Sequence, residues 1–389
     1  MTTYNKKVRM GMVGGGQGAF IGAVHRAAAA IDGEIQLVCG AFSSSHANCL
    51  ATGEALHIDP ARCYASYQEM FAQEAIKPED ERMQFVSIVT PNHLHFPVAK
   101  AAIEAGFHVM SDKPATFTLQ EAIELKAVLD KHDVLYGLTH TYTGYPLVRE
   151  AKQLIHDGKL GVIRKVVVEY SQGWLSDAPG DDNKQAAWRL DPKRAGVSCC
   201  MGDIGVHAAN LAEFISGLDI TELCADLQPV VSGRELDDDG NVLMRFSNGA
   251  KGVLIASQIS VGEENNLNIR VYGSKASIEW HQQEPNTMLI KYNDQPAQTV
   301  RTGVGEFSPY AAASMRTPAG HPEGYLEAFA NIYMDFAKQI RKFAGEDVEV
   351  AGITPSIDEA IRGMAFIENC VAASRSNQKW LPFKLENVL

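Results

Sequence analysis

Asp203 and His207 stand four residues apart in the stretch DIGVHAANLAEFIS. In a helix this spacing places two side chains one turn apart on the same face. That face continues through Leu211, Phe214 and Ile215, whose apolar contacts would fix the histidine in place. Imidazole titrates near neutral pH, so the spacing indicates a proton-transfer group beside a carboxylate that could orient it.

A lysine closes an otherwise apolar run in the stretch AGFHVMSDKPATF. Lys113 lies between Asp112 and Pro114, where burial disfavours the ammonium form and proline blocks regular continuation of the backbone. Such a lysine is either paired with a carboxylate for structure or placed there as a functional cation. The sequence alone leaves both interpretations open.

Composition excludes several classes of function. The 389 residues are 46% hydrophobic and 21% charged, which is enough for a large core and predicts about two domains. The formal net charge is −12 and no basic run stands out, so neither a nucleic acid nor a membrane surface is an expected partner. The start, MTTYNKKVRMGMVGGG, lacks the apolar core of a secretory signal, and we expect a cytoplasmic protein.

The first 140 or so residues alternate between short apolar runs and stretches of helical period. VRMGMVG, IQLVCGAF, FVSIVT, HVMS and VLYGLTH are typical of strands, and AVHRAAAAI, FPVAKAAIEAG and LQEAIELKAVLDKHD of helices. This repetition predicts a parallel sheet covered on both faces. After the helix YPLVREAKQLIHDGKLG, long alternating runs such as VIRKVVVEYSQG, NVLMRFSNGAKGVLIASQIS and NLNIRVYGSKASIEWH predict a large, mostly antiparallel sheet. Two helices, YLEAFANIYMDFAKQIRKFA and SIDEAIRGMAFIENCVAASRS, close the chain.

The glycine-rich stretch GMVGGGQGAFIGAVH follows the first strand and opens the first helix. In this context a turn can hold a pyrophosphate on backbone N–H groups and a helix N-terminus. Gly14 and Gly16 fit the first two glycines of the dinucleotide fingerprint, and Gly22 is the best candidate for the third, at a wider spacing than usual. The alternative is a merely tight turn.

The end of the second strand bears on the choice of nucleotide. A carboxylate there usually binds the adenosine ribose, but this chain has Ser43, Ser44 and Ser45. No acid repels a 2′-phosphate and no basic residue attracts it. We therefore expect NAD, with NADP as the alternative.

VSIVTPNHLHFPVAKAAIEAGFHVMSDKP resembles the Gfo/Idh/MocA family of sugar and cyclitol oxidoreductases, and so does AGVSCCMGDIGVHAANL. The closing helix resembles that family as well, so the motifs run in order through nearly the whole chain. The resemblance implies a Rossmann domain, residues 1–142, and an α+β domain, residues 143–389, with an open-faced, largely antiparallel sheet. The C-terminal helices could then pack back on the first domain, and NAD(P) and substrate would meet where the domains adjoin.

The resemblance also implies roles for individual residues. Lys113, Asp203 and His207 would be catalytic: His207 as general base, Asp203 orienting the substrate hydroxyl or the imidazole, and Lys113 holding the reacting oxygen. Asp112 replaces the family's usual glutamate, and the shorter carboxylate would orient Lys113 differently. The predicted cofactor-binding residues are Gly14, Gly16, Gly22, Ser43, Ser44, Thr90, Pro91, Asn92, His95, Asp112 and Lys113.

Further residues are candidates for binding the substrate. His140 and Tyr142, and Trp188 and Arg189, combine aromatic faces with hydrogen-bond donors, which suits a polyhydroxylated ring, although packing is an equal alternative. Lys113, Asp203 and His207 complete the predicted substrate-binding set. His93 and His95 have no cysteine or acid at ligand spacing, so we predict no metal site. The acidic run ELDDDG is typical of a solvated turn.

These observations predict an NAD(P)-dependent dehydrogenase that acts on a ring hydroxyl of a sugar, glycoside or inositol. Two alternatives remain: an enzyme that keeps its NAD and cleaves glycosides through transient ring oxidation, and a non-catalytic nucleotide-sensing protein. The resemblance also implies a homo-oligomer, a dimer or tetramer, formed through the broad face of the second sheet.

Overall fold

The computed structural model describes residues 7–177, 189–352, 354–386 and 388–389. The chain folds into two compact units. The first unit comprises the residues up to Phe117, Glu121–Thr139 and Tyr325–Ala360. The second comprises Thr118–Gln120, His140–Gly324 and the residues from Ile361 onward. In the described residues, no helix combines the length and the apolar character needed to cross a membrane.

The first unit is built on a five-stranded parallel sheet in the order β2-β1-β3-β4-β5. Its strands are β1 (Val8–Gly14), β2 (Ile35–Ala41), β3 (Phe85–Val89), β4 (His108–Ser111) and β5 (Tyr136–Leu138). Because the sheet is buried on both faces, its strands are nearly continuous apolar runs. The predicted Rossmann fold class is confirmed.

Helices cover both faces of this sheet. They are α1 (Phe20–Ile31), α2 (His46–Ala55), α3 (Tyr67–Ala75), α4 (His95–Glu104), α5 (Leu119–Leu129) and, much later in the chain, α8 (Tyr325–Phe343). One core cluster joins α1 and α8 to the sheet, and it includes Phe85, Phe329 and Phe336. A second cluster joins α3 and α4 to the opposite face. The polar sequence HANCLATGEA, which forms α2, does not have the apolar period that predicts a helix; Ser45 caps its N-terminus by accepting a hydrogen bond from the Asn48 N–H.

The second unit is built on a nine-stranded sheet in the order β13-β12-β11-β10-β6-β9-β8-β7-β14. The strands are β6 (Ile163–Ser171), β7 (Ile220–Gln228), β8 (Asp239–Phe246), β9 (Lys251–Ser257), β10 (Asn266–Gly273), β11 (Ser277–His281), β12 (Thr287–Lys291), β13 (Gln298–Arg301) and β14 (Leu381–Pro382). Every pair is antiparallel except β6 and β9. The predicted large, mostly antiparallel sheet is therefore confirmed.

Two helices pack on one face of the nine-stranded sheet. They are α6 (Pro146–His156) and α7 (Val206–Ser216), and both contact its strands. Proline at the first position starts α6, and Gly217, with φ +66°, ends α7 in the left-handed conformation that favours glycine. A last long helix, α9 (Ile357–Arg375), precedes β14.

Candidate active site

The glycine loop joins β1 to α1 in the first unit. Gly14 and Gly15 have φ of +86° and +72°, which side chains rarely adopt. A Cβ on Gly22 would lie 2.3 Å from the Gly15 Cα, so the helix can approach the loop this closely only with glycine at position 22. Gly22 therefore has the packing that the third glycine of the fingerprint requires.

Gly16 connects the loop to the residue that follows β2. Its N–H donates to the Phe42 carbonyl oxygen at 2.9 Å, and a Cβ at this position would lie 2.8 Å from that oxygen. Arg26 on α1 donates to the Gly15 carbonyl oxygen at 2.7 Å. Sequence reasoning singled out Gly16 but missed Gly15 and Arg26, although the GGG run was a signal for the former.

Two serines follow β2, where the sequence predicts that the ribose binds. The Ser43 hydroxyl accepts a hydrogen bond from the Ser45 N–H at 3.2 Å, while Ser44 is exposed. Ser43 is thus part of the turn that starts α2, and both serines stay predicted ribose contacts.

Thr90, Pro91 and Asn92 form the turn after β3. The Thr90 Oγ1 is buried and forms no hydrogen bond with the described residues, as expected of a polar atom awaiting a ligand. Asn92 is buried at the start of a short helical turn. Together with the positive φ angles of the glycine loop, this orphaned hydroxyl fits a dinucleotide at the carboxyl end of the sheet.

His95 is buried behind this turn. Its Nδ1 lies 2.7 Å from the Pro114 carbonyl oxygen and its Nε2 lies 2.8 Å from the Thr90 carbonyl oxygen. Burial lowers the pKa of His95, whereas the Asp112 carboxylate and the two carbonyl groups act in the opposite direction. Each ring nitrogen thus lies within hydrogen-bond distance of a backbone carbonyl oxygen, and contact between His95 and the cofactor stays a prediction from the sequence.

Asp112 and Lys113 follow β4. Asp112 Oδ1 accepts hydrogen bonds from the Lys113 N–H at 2.9 Å and from the Thr139 hydroxyl at 2.8 Å. Burial raises the pKa of Asp112, but His25 and Lys113 outweigh it and hold the pKa well below its usual range. An ionised carboxylate therefore accompanies the lysine, which explains how an ammonium group is tolerated at this strand end.

In the second unit, Asp203 lies in a polar cluster. Asp203 Oδ2 accepts hydrogen bonds from Arg189 Nε at 3.0 Å and from Gln258 Nε2 at 2.9 Å. The Arg189 guanidinium also lies 5.7 Å from the centre of the Trp174 ring. The structure thus joins the predicted Arg189 and Asp203; Trp188 lies outside the described residues.

His207 is surrounded by aromatic rings. The centre of its ring lies 4.8 Å from that of Tyr142, 5.5 Å from that of His140 and 6.4 Å from that of Tyr170, with Tyr142 and His140 edge-on. His207 is 8% exposed, which leaves an imidazole fixed by packing but accessible. The structure therefore brings His207 together with His140 and Tyr142, which the sequence proposed from a separate stretch.

Asn265, which sequence reasoning missed, connects the polar side chains beside His207. Its Oδ1 accepts from the Tyr170 hydroxyl at 2.8 Å and from Gln172 Nε2 at 2.7 Å, and its Nδ2 donates to the Tyr142 hydroxyl at 3.3 Å. The Tyr142 and Tyr170 hydroxyls also bond to each other. These residues come from a short helical turn, from β6 and from two loops, so no local pattern marked Asn265.

The segment that carries Asp203 differs from the regular helix that the sequence predicts. Met201–Gly205 forms a π-helical turn that continues into α7 at Val206. Asp237 holds the start of this turn, since its carboxylate accepts hydrogen bonds from the Ser198 hydroxyl and the Cys199 and Met201 N–H groups. Burial raises the pKa of Asp237, although these bonds oppose it. The prediction of a solvated ELDDDG turn was wrong: Asp237 is 7% and Asp238 0% exposed.

Comparison with known proteins agrees with this arrangement. Residues 8–140 match the oxidoreductase family with an NAD-binding Rossmann fold, and residues 148–279 match the GFO/IDH/MocA C-terminal domain. The uncharacterized oxidoreductase YfiI of Bacillus subtilis is 37% identical over 98% of both chains. The chain belongs to the GFO/IDH/MocA family. As a member of that family it is an NAD-dependent oxidoreductase, and the predicted enzyme class and cofactor are confirmed.

Other similar proteins have more specific descriptions. An inositol dehydrogenase homolog from Azotobacter vinelandii, solved with NAD+, has 37% identity and a TM-score of 0.93 over 97% of this chain and 98% of that one. The inositol dehydrogenase homolog with NADH and myo-inositol gives 36% identity and a TM-score of 0.90 over 97% and 98%. A levoglucosan dehydrogenase of Pseudarthrobacter phenanthrenivorans is 26% identical, covering 78% of this chain and 80% of its own.

Proposed function

We propose that the protein oxidises a ring hydroxyl of an uncharged cyclitol or sugar to a ketone. The observation that carries this proposal is the cluster around Asp203 and His207, in which hydroxyl and amide groups of Tyr142, Tyr170 and Asn265 predominate. Such groups both donate and accept, as the hydroxyls of a polyol do. The Asp203 carboxylate is already paired with Arg189, so the pair offers little net charge to an ionic substrate.

The relatives support this substrate class. Two of them are described as an inositol dehydrogenase homolog bound to myo-inositol and as a levoglucosan dehydrogenase. Both ligands carry secondary hydroxyls on a ring. That this chain oxidises a hydroxyl of the same kind is part of the proposal. Use of NAD in preference to NADP stays a prediction, as do the cytoplasmic location and the domain boundary after residue 142.

His207 and Lys113 have separate roles in the proposed reaction. His207 takes the proton of the substrate hydroxyl, and the packing of Tyr142 and His140 holds its ring in one orientation. Asp203, four residues before His207 in the chain, orients the imidazole, so that the single proton of the hydroxyl is left to His207. Lys113 stabilises the negative charge that develops on the oxygen. Bound NAD+ would supply the hydride acceptor for this oxidation.

A screen for reduced cofactor tests the proposal. The purified protein would be incubated with NAD+ and a panel of cyclitols, aldoses, glycosides and sugar phosphates, and NADH formation followed by absorbance. We expect turnover with an uncharged ring polyol, a product two hydrogens lighter, and weaker turnover with the phosphates. Release of an aglycone without net NADH would instead support the glycoside-cleaving alternative. Binding of NAD+ without reduction by any compound would contradict the proposal.

We also propose that the protein forms a homo-oligomer through the uncovered face of the nine-stranded sheet. One row of side chains in register crosses six strands, and these neighbours share a face: Leu243, Val253, Val167, Arg270, Glu279 and Leu289. Leu243 is 43% exposed, and the Arg270 Nε forms no hydrogen bond with the described residues. A second copy would cover the apolar residues and supply partners to the charged ones.

A further inference from the structure

A buried polar group lies behind Asp112 in the first unit, and the proposed reaction gives it no role. His25 on α1 is 0% exposed, Ser87 on β3 is 0% exposed and Tyr333 on α8 is 1% exposed. His25 Nδ1 lies 2.7 Å from the Tyr333 hydroxyl and 3.3 Å from the Ser87 hydroxyl, and the two hydroxyls are 2.8 Å apart. Hydrogen bonds inside such a buried polar group are strong because the surroundings are apolar, so they hold the side chains in place.

The orientation of the His25 ring follows from these contacts. Its edge packs against Phe329, with ring centres 4.6 Å apart, and against Tyr333, with ring centres 5.8 Å apart. Two hydroxyls hold Nδ1, so rotation of the ring would break two hydrogen bonds inside the core. The remaining nitrogen, Nε2, is therefore directed to one place.

The His25 Nε2 atom faces the carboxylate of Asp112, the residue before Lys113. His25 Nε2 lies 3.8 Å from Asp112 Oδ1, an ion-pair distance rather than a hydrogen bond, and it has no other polar partner among the described residues. The same oxygen accepts the backbone N–H of Lys113. The Asp112 carboxylate thus lies between His25 on one side and the backbone of Lys113 on the other.

We propose that His25 is a positioning residue for Lys113, acting through the electrostatic contact of its Nε2 with the Asp112 carboxylate. The proposal rests on the proposed function in one respect, the catalytic role of Lys113. Its structural content is independent of that role: the segment from Ser111 to Thr116 has a defined conformation because an imidazole anchored by Tyr333 and Ser87 faces it. His25 and Lys113 both lower the pKa of Asp112, which favours its ionised form.

Two substitutions of His25 by amide side chains distinguish the contributions of the two ring nitrogens. In His25→Gln the side-chain amide reaches the region of Nε2 and can still donate to Asp112, whereas in His25→Asn it reaches only the region of Nδ1 and the hydroxyls. Each variant would be examined without cofactor by hydrogen–deuterium exchange of peptides covering residues 111–117. Turnover with NAD+ and the substrate found above would be measured in parallel, and thermal unfolding would show that the variants fold.

We expect His25→Asn to increase exchange of this segment and to lower kcat roughly tenfold or more with little change in the KM for substrate. His25→Gln should stay within about threefold of the parent in kcat and keep the parent's exchange. Tyr333→Phe, which removes the anchor on Nδ1, should give an intermediate exchange pattern if His25→Asn fails to fold.

The outcomes distinguish this proposal from the proposed function. Equal exchange and equal kcat in the Gln and Asn variants would show that His25 only fills space, and would overturn the proposal. If the parent protein oxidises no polyol, the proposed function fails, and the exchange data still decide whether His25 fixes the segment. Normal exchange in both Tyr333→Phe and His25→Asn would also overturn the proposal that His25 positions Lys113.

Discussion

At the scale of single residues, substitutions of His207 and Lys113 test the proposed proton transfer. His207→Ala should lower kcat by roughly a hundredfold or more, the usual effect of losing a general base, while the Kd for NAD+ stays near normal. His156, an exposed histidine on α6, provides the matched control, and His156→Ala should leave kcat unchanged. Rapid-mixing kinetics and calorimetry would supply the two quantities.

The double variant of His207→Ala and Lys113→Ala adds a second criterion. Because the two groups are proposed to act on one proton and one oxygen, the double variant should be little slower than either single variant. Small and additive losses in folded variants that still bind NAD+ would leave the proposed reaction without its catalytic residues.

The residues of the candidate site were predictable to different degrees. Lys113, Asp203 and His207 stand in continuous motifs, so their types and order pointed to them. Tyr170, Asn265 and Gln258 lie on separate strands or loops, and only the pairing of β6 with β9 and β10 brings them near Asp203 and His207. Asp237 was misread because three consecutive acids normally indicate solvent, while its partners, the N–H groups at Cys199 and Met201, lie far away in sequence.

At the scale of elements, the contact between α1 and the glycine loop gives a prediction. Gly22→Ala places a methyl group 2.3 Å from the Gly15 Cα, so the helix must move away from the loop. We expect the Kd for NAD+ to rise at least about tenfold, because the loop no longer has the geometry that receives the pyrophosphate. Ala23→Val, an exposed substitution on the same helix, is the control, and an unchanged Kd in Gly22→Ala would contradict the assignment.

His108 at the start of β4 gives the first unit a pH-dependent stability. Its Nδ1 accepts the Leu135 N–H at 2.9 Å, and burial lowers the pKa of His108 to about 4. An unfolded chain protonates this histidine near pH 6.5, so the native state is favoured above that pH and loses this advantage as the pH falls toward 4. The loss approaches roughly 3 kcal/mol, at 1.36 kcal/mol per pKa unit.

Urea unfolding at several pH values would measure this effect. The difference in the free energy of unfolding between the parent and His108→Gln should shrink between pH 6.5 and 4, because glutamine does not titrate. A constant difference over that range would show that His108 is protonated equally in both states.

The elements that sequence reasoning found and missed differ in their periodicity. The strands of the parallel sheet are apolar throughout and α8 has a strong apolar face, so both were apparent. The helix α2 contains glycine, threonine and few large apolar residues, and β7 (ITELCADLQ) mixes polar and apolar residues without a strict alternation. The π-helical turn at Met201–Gly205 depends on the remote Asp237 carboxylate, which no local pattern encodes.

At the scale of the whole molecule, the uncovered sheet face predicts self-association. Val167→Lys, in the middle of the row from Leu243 to Leu289, would place a charge at the centre of the proposed interface. We expect light scattering to give a dimer or tetramer for the parent protein and a smaller species for this variant, because burying an unpaired ammonium is costly. A monomeric parent at micromolar concentration would contradict the proposal.

The position of α8 has a consequence for how the protein is made. A ribosome releases the chain from its N-terminus, so the five strands of the parallel sheet emerge long before Tyr325–Phe343, which covers one of their faces. Until then, Val24, Ala28 and Phe85 lack their partners Phe329 and Phe336. The nucleotide-binding unit is therefore completed only after His140–Gly324 has been synthesised, and a nascent chain must keep this apolar surface from aggregating during that interval.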